Sequence, residues 1–272
     1  MAPTTEEARL AVAGNPLWYH TLEVAPGVVT PGWFDVRPAL ARIPFPDVRG
    51  KRCLDIGTYD GFFAFELERR GAAEVVATDI SDHAHWDWPP DMRAAGPDRL
   101  AAIAGPEKGL GFRIAKELLA SEVQRVECSI YDLSPDRVGT FDVVVCGSLL
   151  LHLRDPLRAL EAVRSVCDGV FLSAEEIRLG LSLLTRGRPV AELNGSGELG
   201  QWWVPTAAGH EQMVFAAGFE VVQRTRPYCI ALGPAHPRPK LRPRIVARTA
   251  LTRVACGMSG VPQSAVLARP RV

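Results

Sequence analysis

The run Asp55-Ile56-Gly57-Thr58-Tyr59-Asp60-Gly61 places acids and two glycines within seven residues, between an apolar stretch and an amphipathic one. Gly57 allows a backbone to approach a ligand where a Cβ would collide, and Gly61 allows the following helix to pack closely. The N-terminus of that helix offers unpaired N–H groups and partial positive charge, which suit a ligand carboxylate. Asp79 follows Gly57 by 22 residues. A carboxylate only accepts hydrogen bonds, so an acid there can take both hydroxyls of a ribose. The spacing is not G-x-G-x-x-G, which counts against a standard NAD site. His152 follows a later apolar run and is the candidate proton acceptor, because an imidazole titrates near neutrality. Its competing role is packing, or capping of the helix that begins after Asp155. His20 and Tyr19 are further catalytic candidates if the N-terminal segment folds over a cofactor as a lid; the alternative is plain packing of that segment. His210 reads as a surface or structural residue.

Other chemistry-bearing residues read as less specific. Asp82, His83, His85 and Asp87 are metal-ligand types but adjacent in one loop, whereas a site needs three or four converging ligands. No metal is expected. Trp86, Trp88, Trp202 and Trp203 could wall an apolar acceptor pocket or pack in the core. Lys108 and Arg113 are expected to face solvent.

The elements that position these residues follow from periodicity. Arg52–Ile56, Glu74–Thr78, Val123–Ser129, Phe141–Cys146 and Gly169–Ser173 read as buried strands. Phe62–Arg70, Phe112–Ala120 and Pro156–Val166 read as helices, the last capped by Asp155. Strands alternating with helices imply an α/β fold with a mostly parallel sheet covered on both faces. Thr206 caps another helix, and Phe219–Gln223 with Tyr228–Leu232 resemble a closing hairpin. Residues 1–50 form an arm in which the six prolines from Pro16 to Pro46 oppose one continuous helix, with a short helix over 34–43. Residues 51–233 form the main domain, and 234–272 a basic C-terminal extension without clear periodicity.

The chain has 272 residues, 47% of them apolar, enough for a substantial core. Its net charge is zero but unevenly spread. No acid follows Glu220, whereas ten Arg and Lys do, so residues 1–220 carry 21 basic against 31 acidic groups. A body with a net charge of −10 is a poor partner for nucleic acid. The basic end reads as a solvated tail. The six cysteines form no C-x-x-C pair, which suits a reducing cytoplasm. The N-terminus lacks the apolar stretch of a signal peptide, and no apolar run approaches the length of a membrane span.

The run CLDIGTYDGFFAFELERRGAAEVVATD resembles motifs I and II of the class I S-adenosylmethionine-dependent methyltransferases. WYHTLEVAPGVVTPGWFD, GSLLLHLRDPLRAL and WWVPTAAGHEQMVFAAGFEVV are similar to the branch that contains the tRNA wobble-uridine carboxymethyltransferase. The resemblance covers roughly residues 18–233 and implies a Rossmann-like fold. Its sheet would have seven mostly parallel strands with an antiparallel closing strand. It implies S-adenosyl-L-methionine as cofactor. Asp55, Gly57, Thr58 and Gly61 would line its methionine end. Asp79 and Ile80 would lie at the ribose. Tyr131, Asp132 and Leu133 would flank the adenine, with Asp132 accepting from its amino group. Gly147 and Ser148 would offer backbone contacts. The carboxymethyltransferase holds a carboxylated cofactor partly with an arm lysine and a tyrosine; His20 (or Tyr19) and Leu151 stand in those places here. The clamp is missing, so ordinary S-adenosylmethionine is expected. The expected acceptor is a small molecule methylated on oxygen or nitrogen. The alternatives are a tRNA-modifying enzyme and a non-catalytic nucleoside-binding protein.

Overall fold

Short apolar runs alternating with amphipathic stretches are realised as one large sheet with helices on both faces. The computed structural model describes residues 3–104, 108–194, 200–237 and 243–271. Parts of the basic C-terminal extension, residues 238–242 and 272, lie outside the described residues. The arm contributes strands β1 (Glu23–Ala25), β2 (Val28–Val29) and β3 (Phe34–Asp35). Then come β4 (Arg52–Ile56), β5 (Glu74–Asp79), β6 (Gln124–Glu127), β7 (Phe141–Gly147) and β8 (Cys167–Glu176). A small pair, β9 (Ala191–Leu193) with β10 (Trp203–Pro205), precedes β11 (Phe219–Arg224), β12 (Tyr228–Leu232) and β13 (Val261–Pro270).

The nine-stranded sheet runs β3-β12-β13-β8-β7-β4-β5-β6, with β11 also paired to β13. Strands β8, β7, β4, β5 and β6 are parallel neighbours. Parallel strands covered on both faces are apolar throughout, and Val143 to Cys146 are accordingly fully buried. Successive side chains of β4 go to opposite faces. Cys53 joins one apolar cluster with Phe63, Phe65 and Trp18, while Leu54 and Ile56 join another with Leu160 and Phe171. The helices Phe62–Arg69, Leu110–Leu118, Pro156–Val166 and Ala207–Ala216 lie where the periodicity puts them, to within two residues. Asp155 accepts from the Arg158 N–H and Thr206 from the Gly209 N–H, as N-caps do.

The closing strand is not the expected one. Strands β11 and β12 form no hairpin. Both run antiparallel to β13, end to end along one of its edges, and the other edge of β13 pairs with β8. Thr225 continues the line by exchanging two 2.9 Å hydrogen bonds with Ala265. Ten residues of β13 are long enough to serve both short strands, so residues 261–270 belong to the sheet and are no solvated tail. The seven-stranded core expected from the resemblance is β6-β5-β4-β7-β8-β13-β11, and β12 and β3 extend it.

The arm packs as part of the body. Trp18 is 2% exposed and its Nε1–H donates to the Val12 carbonyl. The expected 34–43 helix is instead β3 followed by a 3-10 helix, Arg37–Arg42. Thr5–Ala13 is a helix with a Thr4–Glu7 capping box. His210 is fully buried, not on the surface; its ring nitrogens meet the Ser173 and Ser264 hydroxyls at 2.8 and 2.9 Å, joining β8 to β13.

Candidate active site

The carboxyl ends of β4, β5 and β7 converge, as ligand-binding crevices of parallel sheets do. The loop after β4 is held in a left-handed conformation: Gly57 has φ 71° and Tyr59 φ 51°. A Cβ at Gly57 would lie 2.8 Å from the Leu149 side chain, so the cradle between the β4 and β7 loops exists only because the residue is glycine. Gly61 (φ 96°) opens the helix Phe62–Arg69, whose N-terminus has no side-chain cap at that position. The Asp55 carboxylate accepts from the Ala64 N–H at 3.1 Å and is 2% exposed. Burial pushes its pKa up to about 6. Thr58 is buried beside it.

Asp79 ends β5. One of its oxygens accepts from the Tyr59 N–H and the other from the Ile80 N–H, both at 2.8 Å. The acid is thereby aimed by the glycine loop itself. Lys108 lies against it, Nζ to Oδ2 3.8 Å, and over the rings of Tyr59 and Trp86 at 3.8 and 4.2 Å. The expectation that Lys108 faces solvent is wrong: its side chain is 3% exposed, and burial draws its pKa down. The aromatic faces and Asp79 replace water around the ammonium. Arg113 is exposed.

On the far side of β5, Tyr131 donates from its hydroxyl to Asp87 at 2.5 Å, and Leu133 is buried. Asp132 is half exposed and 3.5 Å from Arg137. Asp87 also accepts from the Arg154 N–H, and Trp202 Nε1–H donates to the Asp87 carbonyl. The loop of Trp86 and Trp88 is thus fastened across the crevice. Asp82, His83, His85 and Asp87 do not converge, and no group of three or more such ligands is placed for a metal among the described residues.

Gly147 and Ser148 (φ 52°) form the turn after β7, and Ser148 N–H donates to Ala174. His152 lies one short helical turn further on. Its Nδ1 is 3.1 Å from the Gly200 carbonyl, so Nδ1 carries the proton and Nε2 keeps its lone pair. Burial lowers its pKa, leaving a neutral ring able to take a proton. A Cβ on Gly200 would lie 3.1 Å from Trp88, which is itself buried in an apolar cluster with Met92 and Leu100.

The arm candidates are fixed by Asp60. One carboxylate oxygen accepts from the N–H groups of Tyr19 and His20, and the other meets His20 Nδ1 in a very short contact. His20 is 8% exposed and packs by Phe62; Asp60 holds its Nδ1 as the Gly200 carbonyl holds that of His152. Tyr19 stacks on Tyr59, ring centres 4.8 Å apart. Burial and the nearby Glu176 hold its hydroxyl far above the ordinary phenol range, which keeps it protonated. Sequence reasoning passed over Asp60, which only the arm contact reveals. It also passed over Glu175 and Glu176, which end β8 as buried carboxyls. Two adjacent acids closing an otherwise apolar strand were the available signal.

The profile of the methyltransferase domain family matches residues 34–224, well over half of the chain. The chain belongs to the class I S-adenosylmethionine-dependent methyltransferases. Among curated members of this class it is similar to the tRNA U34 carboxymethyltransferase of Campylobacter hominis, 29% identical over 122 residues, which is 45% of this chain and 34% of that one. It is also similar to the ubiquinone biosynthesis O-methyltransferase of Neisseria meningitidis serogroup C, 32% identical over 130 residues, 47% of this chain and 45% of that one. The chain thus spans less than half the length of these two relatives. In fold it matches the N-terminal domain of EvdMO1, solved in the presence of SAH and D-fucose, with a TM-score of 0.53 at 14% identity over 99% of this chain and 98% of that one. It also matches a structure of the Haloferax volcanii Trm112 methyltransferase activator with its methyltransferase partner, TM-score 0.51 at 14% identity, 87% and 89% covered. No helix among the described residues is long and apolar enough to cross a membrane.

Proposed function

We propose that this methyltransferase moves the methyl group of S-adenosyl-L-methionine to an oxygen or nitrogen of a small-molecule acceptor. What supports the reading is that the glycine loop, Asp79 and the Gly147–Ser148 turn stand at the carboxyl ends of the neighbouring parallel strands β4, β5 and β7, with His152 in the helical turn that follows and its Nδ1 on the Gly200 carbonyl. The cofactor supplies an already activated methyl group, so the chain's work is alignment and proton handling. Asp79, set by the Tyr59 and Ile80 amides, would hold the ribose hydroxyls. The Gly57 cradle and the Ser148 turn would hold the methionine end. Tyr131 and Leu133, with Asp132, would border the adenine. His152 Nε2 would take the acceptor's proton. His20 and Tyr19 would position the arm over the loop instead of reacting.

The net charge of −10 on residues 1–220 favours a small acceptor over RNA, as does the buried and aromatic lining. The O-methyltransferase name of one relative is consistent with an oxygen acceptor. A cytoplasmic site of action fits six cysteines that are all unpaired. Calorimetric titration with S-adenosylmethionine, with NAD in parallel, tests the reading. Micromolar binding of S-adenosylmethionine alone is expected, and Asp79→Ala should weaken it about 100-fold, the scale of lost charge-assisted hydrogen bonds. Binding of NAD alone would overturn the cofactor reading. An Asp79→Ala variant with unchanged affinity would remove the ribose assignment.

A further inference from the structure

His152 sits in a turn whose backbone is tied, on both sides of the histidine, to segments far away in the chain. Just before it, the Leu151 carbonyl accepts from the Trp202 N–H at 2.7 Å. Just after it, the Arg154 N–H donates to the Asp87 carboxylate at 2.8 Å, and the Arg154 carbonyl accepts from Trp203 Nε1–H at 3.1 Å. The Asp155 N–H donates to the Tyr131 hydroxyl at 3.0 Å. The ring itself rests on the Gly200 carbonyl through Nδ1, at 3.1 Å.

Asp87, to which methyl transfer as described above gives no part, joins these ties. The carboxylate oxygen that takes the Arg154 N–H also takes the Tyr131 O–H, at 2.5 Å. Its backbone carbonyl accepts from Trp202 Nε1–H. The next residue, Trp88, lies against Gly200, where a Cβ would come within 3.1 Å of the indole. Asp87 and Trp88 therefore hold both the turn that carries His152 and the segment from Gly200 to Trp202 that fixes its ring. Bonds to a carboxylate are roughly twice as strong as those between neutral groups. Burial and the bond to Asp87 hold the Tyr131 hydroxyl above the ordinary phenol range, so it stays the donor. The need for such a hub is geometric. Which ring nitrogen of a histidine carries the proton is set by the bond its other nitrogen makes, and a misplacement of about 1 Å can cost on the order of 100-fold in rate.

We propose that Asp87 is the positioning residue for His152: it locks the 151–155 turn to the Gly200 segment, so that the Gly200 carbonyl takes the Nδ1 proton and Nε2 is left as the proton acceptor. The proposal rests on the methyltransferase reading with His152 as that acceptor, and it names the residue that aims it. Asp87 touches neither donor nor acceptor in this role and acts through Arg154, Tyr131 and Trp202.

Nitrogen NMR of protein labelled at its histidine rings reads tautomer and protonation directly and needs no acceptor substrate. Comparison with His152→Gln identifies the His152 signals. Spectra of wild type, Asp87→Ala and Asp87→Asn are compared between about pH 5 and pH 8.5, across the ordinary imidazole range. Near neutral pH, wild-type His152 is expected as a single neutral form with its proton on Nδ1. Asp87→Ala should lose that single form: the ring exchanges between tautomers and takes up a proton at higher pH than in wild type, because water reaches it. Asp87→Asn should keep it, because both donors share one oxygen of Asp87 and an amide oxygen can stand in its place. A wild-type ring protonated on Nε2 overturns the proposal. So does a folded Asp87→Ala protein whose His152 signals match wild type, and so does equal loss in both variants, which would mean a general loosening of the loop. Should Asp87→Ala unfold, Tyr131→Phe decides, since it removes only the hydroxyl shared by Asp87 and Asp155; unmoved His152 signals there overturn the role. Calorimetric titration of wild type with S-adenosylmethionine keeps the two readings apart. An Nδ1-protonated His152 in a protein that binds no S-adenosylmethionine overturns the methyltransferase reading and the role with it, whereas binding with the proton on Nε2 overturns the role alone.

Discussion

Replacing Glu175 by glutamine should make the protein more stable in mild alkali. The carboxyl is 1% exposed and receives two backbone N–H groups but, among the described residues, no cation, and burial moves its pKa from 4.5 to about 8. Between those values the unfolded chain has lost the proton while the folded chain still holds it. Stability from this group is therefore fully present below pH 4.5 and is lost as pH rises toward 8. At about 1.4 kcal/mol per pKa unit, the loss reaches about 5 kcal/mol above pH 8. That is a large share of the roughly 5–15 kcal/mol that holds a domain folded. Glutamine keeps the shape and carries no charge, but its single oxygen can accept from only one of the Leu149 and Leu150 N–H groups, a loss of about 1–3 kcal/mol at every pH. Urea denaturation of both proteins from pH 5 to pH 9 reads the effect. From pH 5 to pH 8.5 the variant should gain on wild type by about 4 kcal/mol, starting behind it and ending ahead. Asp55, raised to about 6, titrates within this window too, but it does so equally in both proteins and cancels in the difference. A variant that tracks wild type across the whole range would show that burial does not hold this carboxyl protonated.

Three other perturbations probe the site and the sheet. Gly57→Ala forces a Cβ onto a φ of 71° and to 2.8 Å from Leu149, which should cost about 1–3 kcal/mol and weaken S-adenosylmethionine binding at least about tenfold; an unchanged melting temperature would contradict the cradle geometry. His152→Ala should lower turnover by about 100-fold or more on acceptors that must lose a proton, while calorimetry finds cofactor affinity nearly intact; equal losses in both would make His152 a packing residue. A chain ending at Gly260 lacks β13, whose Ala265, Val266 and Ala268 are buried between β8 and β11. Near-UV circular dichroism should show no fixed tertiary structure, and a truncated chain that still binds S-adenosylmethionine would mean the sheet closes without that strand.

Much of the cofactor half was legible from residues close together in the chain. The turn after β4, the helix it opens and the acid ending β5 are local patterns: a buried strand, a left-handed glycine and an apolar helical stripe each declare themselves within about ten residues. The Asp155 and Thr206 caps were readable for the same reason. His152 could be picked out by type and place, but its proton arrangement depends on Gly200, 48 residues away.

What the tertiary structure decided involves partners that periodicity does not link. The hairpin expected from 219–232 gave way to β13, because strand pairing is settled by which edge finds a partner and not by which strands are adjacent in sequence. Lys108 looks like a solvent lysine until Asp79, Tyr59 and Trp86 enclose it. His20 shows no partner in the sequence, yet Asp60, 40 residues on, holds its Nδ1 and its backbone N–H. Glu175 and Glu176 are ordinary strand-end acids until β13 and the β7 turn close over them. The sequence by itself determined the elements and the glycine loop after β4, since those depend on backbone preference and local apolar spacing. Which polar side chains lose their water, and against which partner, only the packed chain decides, because desolvation belongs to the whole surroundings of a group and not to its neighbours in sequence.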